Sequence, residues 1–217
     1  MIWKRTRQSY RNKQDPKQRQ FKQADLDMLE VAAATGEIEL KYLDESGFCM
    51  WGSVSYTYFP RGQQKQLEQT RRRGRRLSIL GLIQPRVSFV YGLVIGSFTS
   101  KSYIKMMSHQ AQLALEHLAA TGCITIVVQD NGPIHTSVEV RQLWSEWENK
   151  GLYIFFLPKY CSEMNPIELE WQHLKADELA GQMFEDELDL AYAVIDGVEA
   201  RGRAGNYAIE RLRFNSC

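Results

Sequence analysis

No Cys-x-x-Cys pair occurs in this 217-residue chain, whose four cysteines, Cys49, Cys123, Cys161 and Cys217, lie far apart. That scatter speaks against a structural zinc site and fits a reducing cytosol. Nowhere does an apolar run reach the roughly 18–20 residues needed to span a bilayer. The N-terminus is basic, yet it lacks the apolar stretch of a secretory signal. Internal repeats and long low-complexity tracts are missing as well. Net charge is only +1, which taken alone argues against a generic binder of polyanions.

What is present describes an ordinary folded domain. Apolar residues make up 44% and charged residues 24% of the chain, so one sizeable core can be buried. The charge is unevenly spread. Lys4, Arg5, Arg7, Arg11, Lys13, Lys17, Arg19 and Lys22 face a single Asp15, and a second basic run holds Arg71, Arg72, Arg73, Arg75 and Arg76. Acids gather later, at Glu185, Asp186, Glu187 and Asp189. Such asymmetry points to an anionic partner at particular surfaces.

The hydrophobic period divides the chain. A short helix is expected over residues 26–34, ended by Gly36. Residues 38–44 alternate apolar and polar, as a half-buried strand does. Apolar or aromatic runs at 54–59, 77–83 and 87–95 read as further strands, with a hairpin at Gln84-Pro85-Arg86. Ile104, Met107, Ala111, Leu115 and Leu118 then share one helical face, and the helix stops near Gly122. Residues 123–129 form a continuous apolar run, typical of a buried central strand. A helix with Val140, Trp144 and Trp147 inward, a strand at 152–157 and a helix at 165–180 complete the order. The fold class is α/β, a mixed sheet flanked by helices. Residues 1–36 form a basic N-terminal segment and residues 37–217 the main domain.

Three acids stand at element ends. Asp44 closes the first strand, Asp130 follows the buried strand, and Glu168 lies in the first turn of a later helix. Hard divalent cations prefer such oxygen ligands, and they keep open positions for water and phosphate. Singly, each acid has a structural explanation: an Asp after a strand is commonly a turn former. Asn165-Pro166-Ile167-Glu168 also fits an N-cap, a first-turn proline and a capping-box acid.

The flanks decide between these readings. Asp44-Glu45-Ser46-Gly47, Gln129-Asp130-Asn131-Gly132-Pro133-Ile134-His135, Leu157-Pro158-Lys159-Tyr160 and Asn165-Pro166-Ile167-Glu168-Leu169-Glu170-Trp171 resemble, in order, the catalytic blocks of the mariner superfamily of transposases. The bacterial insertion-sequence branch is the most similar. The resemblance implies a ribonuclease-H-like fold, Mg²⁺ or Mn²⁺ as cofactor, with two ions, and cut-and-paste DNA transposition. Catalytic and metal-ligating roles carry onto Asp44, Asp130 and Glu168. Glu170 is excluded, being about 200° around the helix from Glu168.

Two features depart from the family pattern. The 131–167 stretch is a few residues longer than usual. The helix-turn-helix modules that precede such domains have no counterpart ahead of Trp3-Lys4-Arg5-Thr6-Arg7, so the basic segment reads as a linker or remnant of a DNA-binding region.

Arg71, Arg72, Arg73, Arg75 and Arg76 are expected to meet DNA phosphates. His135 and Asn131 are candidates to orient a metal ligand from behind, whereas Trp144, Trp147 and Trp171 read as core. The partners implied are double-stranded DNA at transposon ends and target, a second copy of the chain, and a separately encoded DNA-binding part. No membrane is implied, and the location is a bacterial cytoplasm, on the nucleoid when DNA is bound. Two rivals stay open: a truncated remnant that binds DNA or a full-length partner without cutting, and a nuclease acting on RNA–DNA hybrids.

Overall fold

Alternation at 38–44 does produce a strand, β1 (Ile38–Phe48), which runs on through Glu45, Ser46 and Gly47. The computed structural model describes residues 11–51, 60–63, 66, 68 and 74–214. The strand expected at 54–59, together with Arg71, Arg72 and Arg73, lies outside the described residues. β2 (Leu77–Gln84) pairs antiparallel with β1, and β3 (Ser88–Ile95) antiparallel with β2. Their hairpin is the expected one: Val87 N–H donates to Gln84 O at 3.0 Å, and Arg86 takes a φ of 64°. β4 (Ile124–Gln129) lies parallel to β1, β5 (Leu152–Phe156) parallel to β4, and β6 (Ala208–Leu212) parallel to β3. The sheet order is β5-β4-β1-β2-β3-β6, a mixed sheet with the ribonuclease-H-like arrangement.

Helices cover both faces. On one side lie α1 (Pro16–Ala34), α5 (Ile167–His173) and α6 (Glu187–Gly205); on the other lie α2 (Ser100–Thr121) and the short α3 (Val138–Arg141) and α4 (Trp144–Asn149). Each side has its own apolar cluster, one around Tyr42, Phe89 and Trp171, the other around Leu43, Tyr103 and Trp147. Strand alternation therefore assigns the residues of β1: Tyr42 and Phe48 face α5, whereas Leu43 faces α2.

Several expectations are corrected. α1 starts ten residues earlier than the periodicity indicated. The signal lies in Asp15, whose side chain accepts from Lys17 and Gln18 N–H ahead of Pro16 at the helix start, an N-cap with a preorganised first turn. Only Leu26 of α1 is buried, so apolar period could not reveal its length. The buried face of α2 is Tyr103, Met106, Met107, Gln110, Ala111 and Ala114, and Leu115 is 39% exposed. Gln110 can sit inside because it accepts from the buried Lys41 at 3.2 Å, a partnership that polarity patterns hide. The helix expected over 165–180 is the seven-residue α5 followed by a π-helical turn, Leu174–Glu178. The acid-rich 185–189 stretch starts α6, where Asp186 accepts from Leu188 and Asp189 N–H. Among the described residues, no helix is long and apolar enough to cross a membrane.

Candidate active site

Parallel pairing of β1 with β4 ends at Tyr42 and Val128. Two residues further on, β4 has left the sheet, and Asp44 and Asp130 stand beside the gap that opens. Glu168 reaches it from the first turn of α5. All three acids line one cleft of roughly 540 Å³, with Asn131, Pro133, Leu157, Pro158, Lys159, Tyr160, Cys161, Ser162 and Asn165. The start of α5 is tied to the sheet there: Asn165 Nδ2–H donates to Leu43 O at 2.9 Å. Among the described residues, no hydrogen bond closes a capping box from Glu168, whose side chain is left to the cleft. α5 begins at Ile167, with Pro166 as its cap.

Two acids that compete for these assignments are engaged elsewhere. Glu45, next along β1, faces the α2 side, where its Oε1 lies 3.4 Å from His135 Nε2. That distance is within ion-pair range, although Nε2 has no well-aligned hydrogen-bond acceptor. Glu170 turns towards α6, where Arg201 Nε donates to its Oε2 at 2.6 Å and the Tyr207 hydroxyl donates at 3.3 Å.

Asp130 Oδ1 lies 2.7 Å from His135 Nδ1 and accepts the Gly132 N–H at 3.1 Å. Hydrogen bonding from His135 holds the Asp130 carboxyl below its ordinary range. Burial opposes charge on His135, but the Asp130 and Glu45 carboxylates outweigh it and push the imidazole up to about 9. The imidazole also stacks on Tyr103 at 4.7 Å, and the Tyr103 hydroxyl donates to Gln129 at 2.8 Å. His135 is thus buried between Asp130, Glu45 and Tyr103, its Nδ1 turned to the Asp130 carboxylate.

Asp44 differs. Burial, and then the nearby Glu168 carboxylate, push its pKa up to about 7, with Asp130 adding to the effect. The Trp171 indole N–H opposes this rise by donating to Asp44 Oδ2 at 2.9 Å. Three carboxylates lining one cleft have the donor chemistry a hard divalent cation requires. The fit is one of donor type and placement. Among the described residues, no three His, Cys, Asp or Glu side chains are drawn together closely enough to enclose an ion.

Positive charge flanks this acidic centre. Lys175 Nζ donates to Ser46 Oγ at 2.7 Å, two residues along β1 from Asp44. Burial lowers its pKa, and the Glu168 and Asp44 carboxylates work against that drop. Arg76 lies directly against Gly47, near enough to repel Lys175. Arg75 is partly committed, since its N–H donates to Glu187 Oε1 at 3.0 Å and its guanidinium lies 3.7 Å from the same carboxylate. Lys175 and the Trp171 bond were missed in the sequence, although both carry a helical signal: three and seven residues after Glu168 fall on nearly the same face.

The profile of the DDE superfamily endonucleases matches residues 39–191, which takes in all three acids. The chain belongs to this family. This DDE domain is similar in fold to solved structures of the Mos1 transposase. A paired-end complex with the left transposon end is 14% identical, with a TM-score of 0.58 over 95% of this chain and 65% of that one. A Mos1 paired-end complex with Mg is 16% identical, with a TM-score of 0.64 over 93% of this chain and 60% of that one. The catalytic domain of the Mos1 mariner transposase is 12% identical, with a TM-score of 0.53 over 88% of this chain and 92% of that one. The DDE chain thus spans 60–65% of the length of the Mos1 chains in the paired-end complexes. Comparison with curated proteins gives no match.

Proposed function

We propose that this DDE domain is the catalytic domain of a DNA transposase, cleaving and joining phosphodiesters with Asp44, Asp130 and Glu168. The observation that carries the reading is the convergence of these acids, from three elements distant in sequence, on one cleft. Mg²⁺ or Mn²⁺ held by the three carboxylates would supply Lewis-acid stabilisation of charge on the phosphate and leaving oxygens. The protein's own groups prepare that task. Asp130 is kept ionised and oriented by His135 and Gly132. Asp44 is half-buried, and its cost of ionisation favours a cation beside it. Lys175 and Arg76 stand where a DNA backbone entering the cleft would bring phosphates, and they attract it without reading sequence. The substrate that fits is duplex DNA, as in the Mos1 complex with its transposon end.

The test is strand cleavage of a DNA duplex with Mg²⁺ or Mn²⁺ present, comparing wild type with Asp130→Asn. Loss of at least 100-fold in rate is expected, with DNA binding retained. Unchanged cleavage would remove the assignment, and cleavage of an RNA–DNA hybrid in preference to DNA would redirect it.

A further inference from the structure

Trp171 is 2% exposed and sits in the core cluster with Phe89, its ring centroid 5.7 Å away. Packing accounts for the ring but not for its polar edge. A buried indole N–H needs an acceptor, and here the acceptor is Oδ2 of Asp44, 127 residues away in sequence. The strand beneath is adapted to this approach. Gly81 is the cross-strand partner of Asp44 on β2, and a Cβ there would come within 2.5 Å of Trp171 Cη2. Without a side chain at position 81 the indole can approach β2 closely and reach the carboxylate on β1. Trp171 also stands three residues after Glu168 on α5, so one helix presents Glu168 to the cleft and holds Asp44 in place. Asp130 is supported in the same manner by donors to its Oδ1 from His135 and Gly132.

We propose that Trp171 is a positioning residue: its indole N–H fixes the plane of the Asp44 carboxylate and locks Asp44 in register with Glu168 for binding a divalent cation. The inference rests on the reading of Asp44 as a cation ligand. Donors behind metal ligands typically contribute 10–100-fold in metal affinity, which sets the size of the effect.

The experiment replaces Trp171 in the full chain by phenylalanine (Trp171→Phe), and separately by 3-benzothienylalanine, which keeps the bicyclic shape and lacks only the N–H. Folding is checked by near-ultraviolet circular dichroism and melting. Mn²⁺ binding is followed by electron paramagnetic resonance of the free ion, and cleavage is measured as kcat and KM for DNA. Both variants are expected to bind Mn²⁺ about 10-fold more weakly or worse, and to lose kcat with KM for DNA unchanged. Should Trp171→Phe fail to fold, the benzothienyl variant decides alone. Mn²⁺ binding within twofold of wild type in a folded variant overturns the proposal. Asp130→Asn separates the two ways of failing. If it abolishes Mn²⁺ binding while the Trp171 variants bind normally, only the positioning role falls. If wild type binds no Mn²⁺, or Asp130→Asn binds it equally well, the reading of the site falls and the inference with it.

Discussion

Asp44 occupies a half-buried position beside Glu168, and both circumstances raise the free energy of its ionised form. A carboxyl whose folded pKa is raised, here to about 7, stabilises the fold below its unfolded value near 3.9 and loses that contribution as pH rises through the folded value. The protein without cation therefore carries an electrostatic cost at pH 8. Asp44→Asn is expected to remove roughly 1–2 kcal/mol of it, after discounting for solvent, and to raise Tm by about 2–8 °C in EDTA at pH 8. At pH 4 the gain should nearly vanish, because the wild-type carboxyl is already protonated. A lower Tm at pH 8 would show that the charge is not a cost. The acid itself was legible in the sequence, since strand alternation and a distinctive flank both lie within a few residues of it. Its partners were not. Trp171 reads as a core residue from its spacing, and core it is; that its N–H also serves Asp44 depends on a contact 127 residues away, which no local pattern encodes. The Arg75 contact with Glu187 was hidden for the same reason, as Glu187 comes from the start of α6.

Elements, unlike single contacts, announce themselves through period and punctuation, with unequal success. β1 to β5 and α2 were legible because strand alternation, apolar runs and Gly122 are strong signals. α1 was under-read because its start rests on a capping aspartate, Asp15, outside the apolar stripe, whereas α6, capped by Asp186, and β6 were not predicted from the sequence. The junction of α5 with β1 and β2 makes a prediction at this scale. Gly81→Ala would place a methyl 2.5 Å from Trp171 and 2.8 Å from Phe89. Both rings are buried and cannot swing aside. Overpacking of this kind typically costs about 1–3 kcal/mol, so Tm should fall by several degrees. Mn²⁺ affinity should fall too, since α5 must lift away from β1. A Gly81→Ala protein with wild-type melting would mean that the indole is more loosely seated than its contacts indicate.

For the molecule as a whole, net charge of +1 conceals a polarised site, with Lys175 and Arg76 beside three acids. DNA affinity should accordingly weaken with added salt, and Arg76→Ala should lower the slope of log affinity against log salt by about 0.9, the share of one phosphate contact. An unchanged slope in a filter-binding or anisotropy titration would place Arg76 off the DNA path. The mixed sheet flanked by helices was the most legible global feature, because antiparallel strands followed by alternating helices and strands point to it.

The dispersal of these acids along the chain has a thermodynamic corollary. An unfolded chain cannot keep a strand residue, a loop residue and a helix residue in one place, so a cation bound by all three recognises only the native state. By mass action such a ligand at a hundred times its Kd adds about 2.7 kcal/mol to global stability. Chelation would then do more than stop the reaction: it would enlarge the unfolded population, and with it the fraction open to proteolysis.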